Sequence, residues 1–549
     1  MKAFIKFVAA SFLITSALFS QVVGEQWVSR YNGSANTFDG ANCLTIDNAG
    51  NVYTAGSSYQ TGTSRDMLTI KITPLGDTAW VRKYNGSING GDYIFAIAVD
   101  NSGNVYVTGR CDNGTNSTFC DYTTIKYNSS GVQLWVALYN GTANGVDEAN
   151  VIAVDASGNV YVTGRSPGTG TDLDIVTVKY NSSGVEQWVK RFNGTLNAYD
   201  YPYAMTLTPT GDVAIAGMTI NNGTGSDFTV IKYDTDGNLL WSRTYNNPTV
   251  NGGDFARAIE CDQAGNIVAC GYIDNGPVYK YDFLTVKYNP SGVLQWHAFY
   301  NNSSNVTELA YDLSLDNAGN VYVTGGGIGA VAAEDSNFIT VKYNSSGAMQ
   351  WVAFYDGPMG MVDIARSVMV DGSGNIYVTG ASGTLSGDDY ATIKYNPSGV
   401  QQWVKRYNGP GNGNDYTNSI AVNHYGEVFV TGRSLGVGTD YDFATIKYSP
   451  FVGIEPVNNE IPGTYYLRQN YPNPFNPETV IKFNIPREGN VNLTVYDING
   501  RTVSTLINGN LKVGRYNYNF NASNLTSGIY FYTLTAGTFS ETKKMILLK

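Results

Sequence analysis

The sequence predicts an all-β chain: an eight-bladed β-propeller of four-stranded blades, followed by a small Ig-like β-sandwich. Three observations carry this expectation. The eight Trp residues, Trp27, Trp80, Trp135, Trp188, Trp241, Trp296, Trp351 and Trp403, recur at gaps of 53, 55, 53, 53, 55, 55 and 52. Between them the same three strand-sized segments return, each bounded by turn residues. After Pro450 the repeat stops, and short alternating segments of another composition begin.

Composition agrees. The 549 residues include 41 Tyr and 62 Gly, and only 14% are charged, which is too apolar and aromatic for a disordered chain. The formal charge is -11, and Lys and Arg recur singly rather than in a stripe, which argues against a nucleic-acid partner. At the N-terminus, residues 1–24 read as a secretory signal peptide. Lys2 and Lys6 precede an apolar run from Phe7 to Phe19, and Ser20 or Gly24 offers a small residue for cleavage. The run is shorter than the roughly 20 residues that span a bilayer.

Residues 25–449 hold the repeat. Its first segment ends in an Ile-Ala-Val-Asp pattern, as at Ile97 to Asp100. The second is Gly-Asn-Val-Tyr-Val-Thr-Gly, at Gly103 to Gly109, Gly158 to Gly164 and Gly319 to Gly325. The third is Thr-Ile-Lys-Tyr, at Thr124 to Tyr127, Thr392 to Tyr395 and Thr445 to Tyr448, and a polar turn such as Asn128 to Gly131 leads to the Trp strand. In the Asp-x-x-Gly-Asn joint the Asp side chain caps a tight hairpin and Gly supplies positive φ. The repeat begins on a Trp strand (Gln26 to Tyr31) and ends on a third strand (Phe443 to Tyr448). The first strand is therefore expected to complete the last blade, leaving no open edge in the ring.

Residues 450–464 read as a linker and 465–549 as the sandwich. The sandwich opens on the Asn- and Pro-rich run Asn470 to Pro477, which excludes helix or central strand.

Two acidic series recur. Asp39, Asp92, Asp147, Asp200, Asp254, Glu308, Asp363 and Asp415 each lie near the start of a blade's first strand. Asp66, Asp121, Asp174, Asp227, Asp282, Asp389 and Asp442, with Asn337 in the remaining place, each lie five residues before the third-strand Lys. First and third strands run the same way, so both series should gather on one face. With the first strand innermost, the first series would ring the channel mouth, as a possible site for a cation or polar ligand. The alternative is that these carboxylates cap turns and pair with Lys126, Lys179 and their equivalents. Asp100, Asp155, Asp316 and Asp371 sit in loops too short and carboxylate-poor for calcium. In an oxidising compartment Cys111–Cys120 and Cys261–Cys270 could each form a disulfide or be small buried residues, and Cys43 reads as core. His297 and His424 have no ligand-spaced neighbours.

The Asp-x-x-Gly-Asn-Val-Tyr-Val-Thr-Gly and Ile-Lys-Tyr segments resemble the secreted bacterial β-propeller (SBBP) repeats, usually described with seven blades where eight units are counted here. Gly131 to Trp135 and Gly237 to Trp241 match, more weakly, the Gly-x-x-x-Trp docking turn of eight-bladed quinoproteins. The C-terminal module resembles the type A sorting domain of the type IX secretion system, through Tyr471, Pro472, Asn473, Pro474, Phe475 and Asn476, Val495 to Asp497, Gly500-Arg501, Ser527-Gly528-Ile529-Tyr530 and Lys543-Lys544-Met545. That resemblance implies export across the outer membrane of a diderm bacterium, removal of the module, and then release or attachment at the surface.

The expectation for the whole is a monomeric, non-enzymatic propeller binding a glycan or protein, without cofactor. Tyr-Asn-Gly loops such as Tyr139 to Gly141 and Tyr407 to Gly409 offer sugar contacts, but their recurrence favours architecture. The insertions at 110–120, 272–282 and 326–336 differ between blades and are better candidates. An enzyme (quinoprotein or polysaccharide-cleaving) and a rigid spacer are the alternatives. An enzyme should show a blade-specific cluster of His, Tyr, Arg or carboxylates, and none is visible in the sequence.

Overall fold

The computed structural model describes residues 23–112, 120–247, 249–276, 281–302, 307–328, 336–424, 426–450, 455–456, 462–511, 513–522 and 525–548. Residues 1–22 of the expected signal peptide (1–24) lie outside them, as do the centres of the three blade-specific insertions, while Val23 and Gly24 already belong to a strand.

Gly24–Pro450 forms one unit. It contains eight four-stranded antiparallel sheets. Seven are contiguous: blade 1 runs from Asp39 to Tyr84, blade 2 from Tyr93 to Tyr139, blade 3 from Glu148 to Phe192, blade 4 from Tyr201 to Tyr245, blade 5 from Phe255 to Tyr300, blade 6 from Glu308 to Tyr355 and blade 7 from Asp363 to Tyr407. Blade 8 takes three strands from Asp415 to Pro450, and its outer strand is Val23–Tyr31. The first strands contact one another in sequence around the ring, and blade 8 meets blade 1, so they are innermost. The second strands are covered on both faces, so Val105, Tyr106, Val107, Thr108 and Gly109 are all buried. Between blades 2 and 3, for example, Tyr122, Ala149, Ile152, Val160 and Val176 form a dry seam.

Each Trp joins its blade to the next. Trp80 Nε1 donates to Ser129 O (3.2 Å), Trp188 to Thr235 O (3.1 Å) and Trp241 to Pro290 O (3.0 Å). The indole rests on the next blade's turn glycine: Gly131 lies under Trp80, and Gly237 under Trp188. The Gly and Trp of one Gly-x-x-x-Trp turn thus serve different seams. Blade 8 has no turn from third to outer strand, because its outer strand comes from the other end of the chain. Trp403, which would dock there, keeps a buried Nε1 without a partner among the described residues.

The third-strand lysines do not pair with the first acidic series. Lys126 Nζ donates to Ser182 O (3.1 Å) and Lys179 to Thr235 O (2.8 Å), the carbonyls that the Trp side chains also use, and each ammonium lies over its second-strand tyrosine. Where such a lysine is ion-paired, its partner is a hairpin acid, as in Lys287–Asp262 at 2.9 Å. The hairpin acids otherwise cap their own turns: Asp100 accepts from Ser102 N, Asn104 N, Asn104 Nδ2 and the Tyr106 hydroxyl.

Neither proposed disulfide is present; all five cysteines are free. Register gives the reason. Cys111 lies opposite Asp121 and Cys120 opposite Asp112, so the two thiols point to opposite faces of the sheet. Cys270 lies opposite Ala258 and Cys261 opposite Ile267, again on opposite faces, and they enter different inter-blade cores.

The C-terminal module is two four-stranded antiparallel sheets around a core that includes Phe475, Phe483, Leu493, Tyr532, Leu534 and Met545. The expected linker contributes to it. Glu455–Pro456 pairs with Tyr516 and Asn517 at a sheet edge, where a residue lacking an N–H is tolerated.

Candidate functional site

The first acidic series does not open onto the channel. Seven of its members are 0% exposed and Asp200 is 1% exposed. Six of the eight carboxylates tie the loop from the preceding blade to the end of their own second strand, whereas Asp147 bonds to the loop and both Glu308 oxygens are without a hydrogen-bond partner among the described residues. Asp363 accepts from Gly357 N (2.6 Å) and Gly383 N (3.1 Å), and Asp415 from Gly409 N (2.6 Å) and Leu435 N (2.9 Å). Asp39, Asp92, Asp200 and Asp254 make the equivalent bonds, and Asp147 holds Gly141 N. Burial raises Asp92, Asp200 and Asp254 to about 6, and burial with Asp282 nearby raises Glu308 to about 8. The expected channel-mouth ring is therefore a set of loop staples.

The second series does lie beside the first, on one face: Asp66 acts on Asp92, Asp174 on Asp200 and Asp227 on Asp254. Its members pair with outer-strand arginines (Asp174–Arg191, Asp389–Arg406, Asp442–Arg30) or with local Asn and Thr, as Asp227 does. The Tyr-Asn-Gly loops are closed in the same way. Asn140 Nδ2 bonds Asn144 Oδ1, Tyr139 packs on Tyr122, and Asn144 takes the left-handed conformation that Asn tolerates (φ 49°).

Blades differ in their insertions and, on the innermost strand, at the residue after the acid and at a bulged residue two positions further on. Every first strand carries a β-bulge at the third residue after the staple acid. A bulge leaves one residue outside the ladder and re-aims its side chain. The bulged residues are Asn42, Phe95, Asn150, Tyr203, Arg257, Tyr311, Arg366 and Asn418. The repeated glycine ending Val-Tyr-Val-Thr-Gly belongs to the same device. A Cβ on Gly109 would sit 1.7 Å from Tyr93 O, and one on Gly380 2.0 Å from Ile364 O. The bulge presses a carbonyl into the second strand, and only glycine leaves room.

Around this rim the two halves differ. Across blades 2 to 4 the charges are balanced. Glu148 pairs with Arg110 (2.9 Å) and Arg165 (3.1 Å), and these guanidiniums lie over Tyr93 and Tyr201. Across blades 5 to 8 a cavity of about 470 Å³ opens, lined by Arg257, Tyr311, Arg366, Tyr416, Asn418 and Arg433, with Asp388 in its wall. Arg257 lies 4.1 Å from the Tyr203 ring centre, Arg366 4.7 Å from Tyr311, and Arg433 4.7 Å from Tyr416. Burial and the nearby Asp388 carboxylate raise the Tyr416 phenol, which therefore stays protonated and able to donate. Sequence reasoning looked for asymmetry in the loops and missed this column. The legible signal was a position of mixed chemistry three residues after each staple acid.

In the C-terminal module the Tyr471 to Asn476 run is stitched to the last strand. Phe475 is buried, its N–H donates to Ile546 O (3.0 Å), and its carbonyl accepts from Leu548 N (2.9 Å). Asn473 Oδ1 accepts from Ile546 N, and its Nδ2 donates to Lys544 O. Tyr471, Pro472, Pro474 and Asn476 remain exposed, as does Lys544, while Lys543 pairs with Glu541 (2.7 Å). The Tyr530 hydroxyl donates to Thr526 O (2.8 Å), closing the turn before Gly528.

Comparison with known proteins gives two family matches. The secretion-system C-terminal sorting domain matches residues 469–548, and the SBBP β-propeller repeat matches residues 80–114 and 134–170. The chain carries SBBP repeats and a type IX sorting domain, which marks it for export to the cell surface or beyond and implies contact with the secretion machinery. No curated protein matches the chain. Among solved structures it is similar to PorZ, a surface component of the type IX secretion system of Porphyromonas gingivalis, at 14% identity and TM-score 0.41, over 91% of this chain and 68% of that one. It is also similar to the polysaccharide lyase Uly1 (12%, TM-score 0.39, 67% and 92%). A third is the propeller domain of the trilobed protease of Pyrococcus furiosus (9%, TM-score 0.39, 64% and 92%).

Proposed function

We propose that this exported propeller is a non-enzymatic binding protein whose ligand, a glycan, docks at the inner rim across blades 5 to 8. One observation carries the reading. The position that the fold re-aims out of the ladder also differs between blades, and four of its eight residues line one cavity. The volume falls in the range of about 300–1,000 Å³ usual for small-ligand sites. Tyrosine, asparagine and arginine offer flat faces and donors of the kind that hold hydroxylated ligands.

The test is a glycan array with the exported chain and with Ala381→Trp, which fills the cavity wall. Binding by the parent and its loss in the variant, with unchanged melting, is the expected result. Equal binding by both would move the site elsewhere.

A second reading, a polysaccharide-cleaving enzyme, is favoured by Tyr311 lying between Arg257 (5.9 Å) and Arg366 (4.7 Å), the blade-specific cluster that the sequence did not show. Prolonged incubation with bound polysaccharides, followed by sizing of the products, separates the two. Stable chain lengths support binding, and shortened chains support the enzyme.

A further inference from the structure

The arginines of the blade 5 to 8 cavity lack the carboxylate that five other arginines of this propeller have. Arg82 and Arg243 lack it too but donate to backbone carbonyls, and Arg65, stacked on Phe38, Tyr59 and Tyr93, shares the cavity arginines' state. Arg30, Arg110, Arg165, Arg191 and Arg406 are each within 4.0 Å of a carboxylate. Arg257, Arg366 and Arg433 have none at that distance among the described residues. Buried Nε atoms of Arg257 and Arg433 have no hydrogen-bond partner there, a feature shared with Arg65, Arg110 and Arg165, so the missing carboxylate alone separates the cavity arginines from Arg110 and Arg165. This occurs in a chain of net charge -11, where counter-ions are not scarce.

Aromatic stacking explains how the guanidiniums are held without being consumed. Arg257 lies against Tyr203, Arg366 against Tyr311, and Arg433 against Phe38, Tyr416 and Tyr441. Stacking engages the face of the guanidinium and leaves donors on its edge beyond the one Arg257 shares with the Tyr203 hydroxyl, and that planar fork matches the two oxygens of a carboxylate or sulfate.

We infer that the cavity recognises the anionic group of an acidic polysaccharide, a carboxylate or sulfate ester, with Arg257, Arg366 and Arg433 as the anion-holding residues. This rests on the proposed glycan-binding function and names its ligand class. Asp388 in the wall is the reason for a sugar polymer over a denser polyanion. It repels closely spaced charge but accepts hydroxyls; the Tyr416 phenol is hydrogen-bonded to it, and the Asn418 amide, which gives one hydrogen to Ala41 O, has a second to offer. The three cations are confined to one cavity rather than spread as a stripe, which suits one anionic group per few residues.

The experiment is calorimetric titration of the full chain, propeller and sorting domain together, with polygalacturonate, chondroitin sulfate, neutral dextran and poly-glutamate. Variants are Arg366→Glu and Arg366→Ala, at an exposed position where folding is not at risk, and Arg110→Ala on the balanced side of the rim. Expected is binding to one or both acidic polysaccharides, with the pair separating carboxylate from sulfate. Affinity should fall about tenfold or more in Arg366→Ala, further in Arg366→Glu and with added salt, and stay unchanged in Arg110→Ala. Equal binding of dextran with no effect at Arg366 overturns the anion assignment while leaving a glycan site in place. Poly-glutamate binding as tightly as the polysaccharides overturns the choice of polysaccharide. No binding to any glycan, here or on the array, overturns both the inference and the function it rests on.

Discussion

The two halves of the inner rim share one backbone device and differ in charge balance. In both, a buried acid staples the incoming loop, the bulge follows three residues later, and a glycine receives the displaced carbonyl. In blades 2 to 4 Glu148 neutralises two arginines and fastens neighbouring blades together. In blades 5 to 8 Ile364 and Tyr416 stand where Glu148 stands, and the arginines face a cavity instead. A repeat architecture can thus keep its ladder constant and change the chemistry of its rim by varying two columns, the bulged residue and the one two positions before it. Glu148, at the second of these, is what ion-pairs Arg110 and Arg165.

Four experiments break or sharpen that contrast. The largest effect should come from removing the shared device. Asp92→Ala and Asp363→Ala, one in each half, each leave two backbone N–H groups without their buried acceptor. A loss of about 3 kcal/mol is expected in both, measured by denaturant unfolding. A clear inequality would show that the halves differ in scaffold as well as in charge.

Next, Glu148→Ala should cost about 2 kcal/mol, because it strands Arg110 and Arg165. It should also create a second anion site, read as a doubled stoichiometry for an acidic oligosaccharide. A destabilised protein with unchanged stoichiometry would mean that charge balance alone does not separate the halves.

The converse change is Tyr416→Glu. Tyr416 lies opposite Arg433 as Glu148 lies opposite Arg165. The new carboxylate should neutralise Arg433 and weaken acidic-polysaccharide binding about tenfold, with little change in melting temperature. Retained affinity would remove Arg433 from the site.

The smallest effect concerns pH. The Glu308 carboxyl, raised by burial to about 8, binds its proton more tightly in the folded chain than in the unfolded one. The stability it contributes is full below the unfolded value, near 4.5, and is lost as pH rises through about 8. Glu308→Gln should therefore lose less melting temperature than the parent between pH 5 and 9 (roughly the window of the shift). Parallel melting curves would show that the carboxyl is not held neutral.

Much of the architecture was legible. The Trp spacing, the Asp-x-x-Gly-Asn hairpins and the out-of-phase chain ends foretold the blades and the closure by Val23–Tyr31. The Tyr471 to Asn476 and Lys543 to Met545 segments identified the sorting domain. The acidic series were legible as positions but not as roles. Near a strand start, a carboxylate that faces a channel and one that turns back onto a loop N–H have the same spacing. The cysteine pairs were misleading because strand parity, not separation in sequence, decides whether two side chains share a face. The rim cavity was least legible, since Arg257, Arg366 and Arg433 are 176 residues apart at their extremes.

The sequence by itself determined the repeat, its strands and turns, and the sorting domain, because these rest on local hydrogen bonding and on side chains that recur at fixed spacing. Only the tertiary structure decided which residues line the rim cavity. The bulge turns one residue of each inner strand out of the ladder, and closure of the ring places those residues side by side. Which arginines then find a carboxylate, and which stay unpaired in a cavity, depends on neighbours from other blades and so on no single repeat.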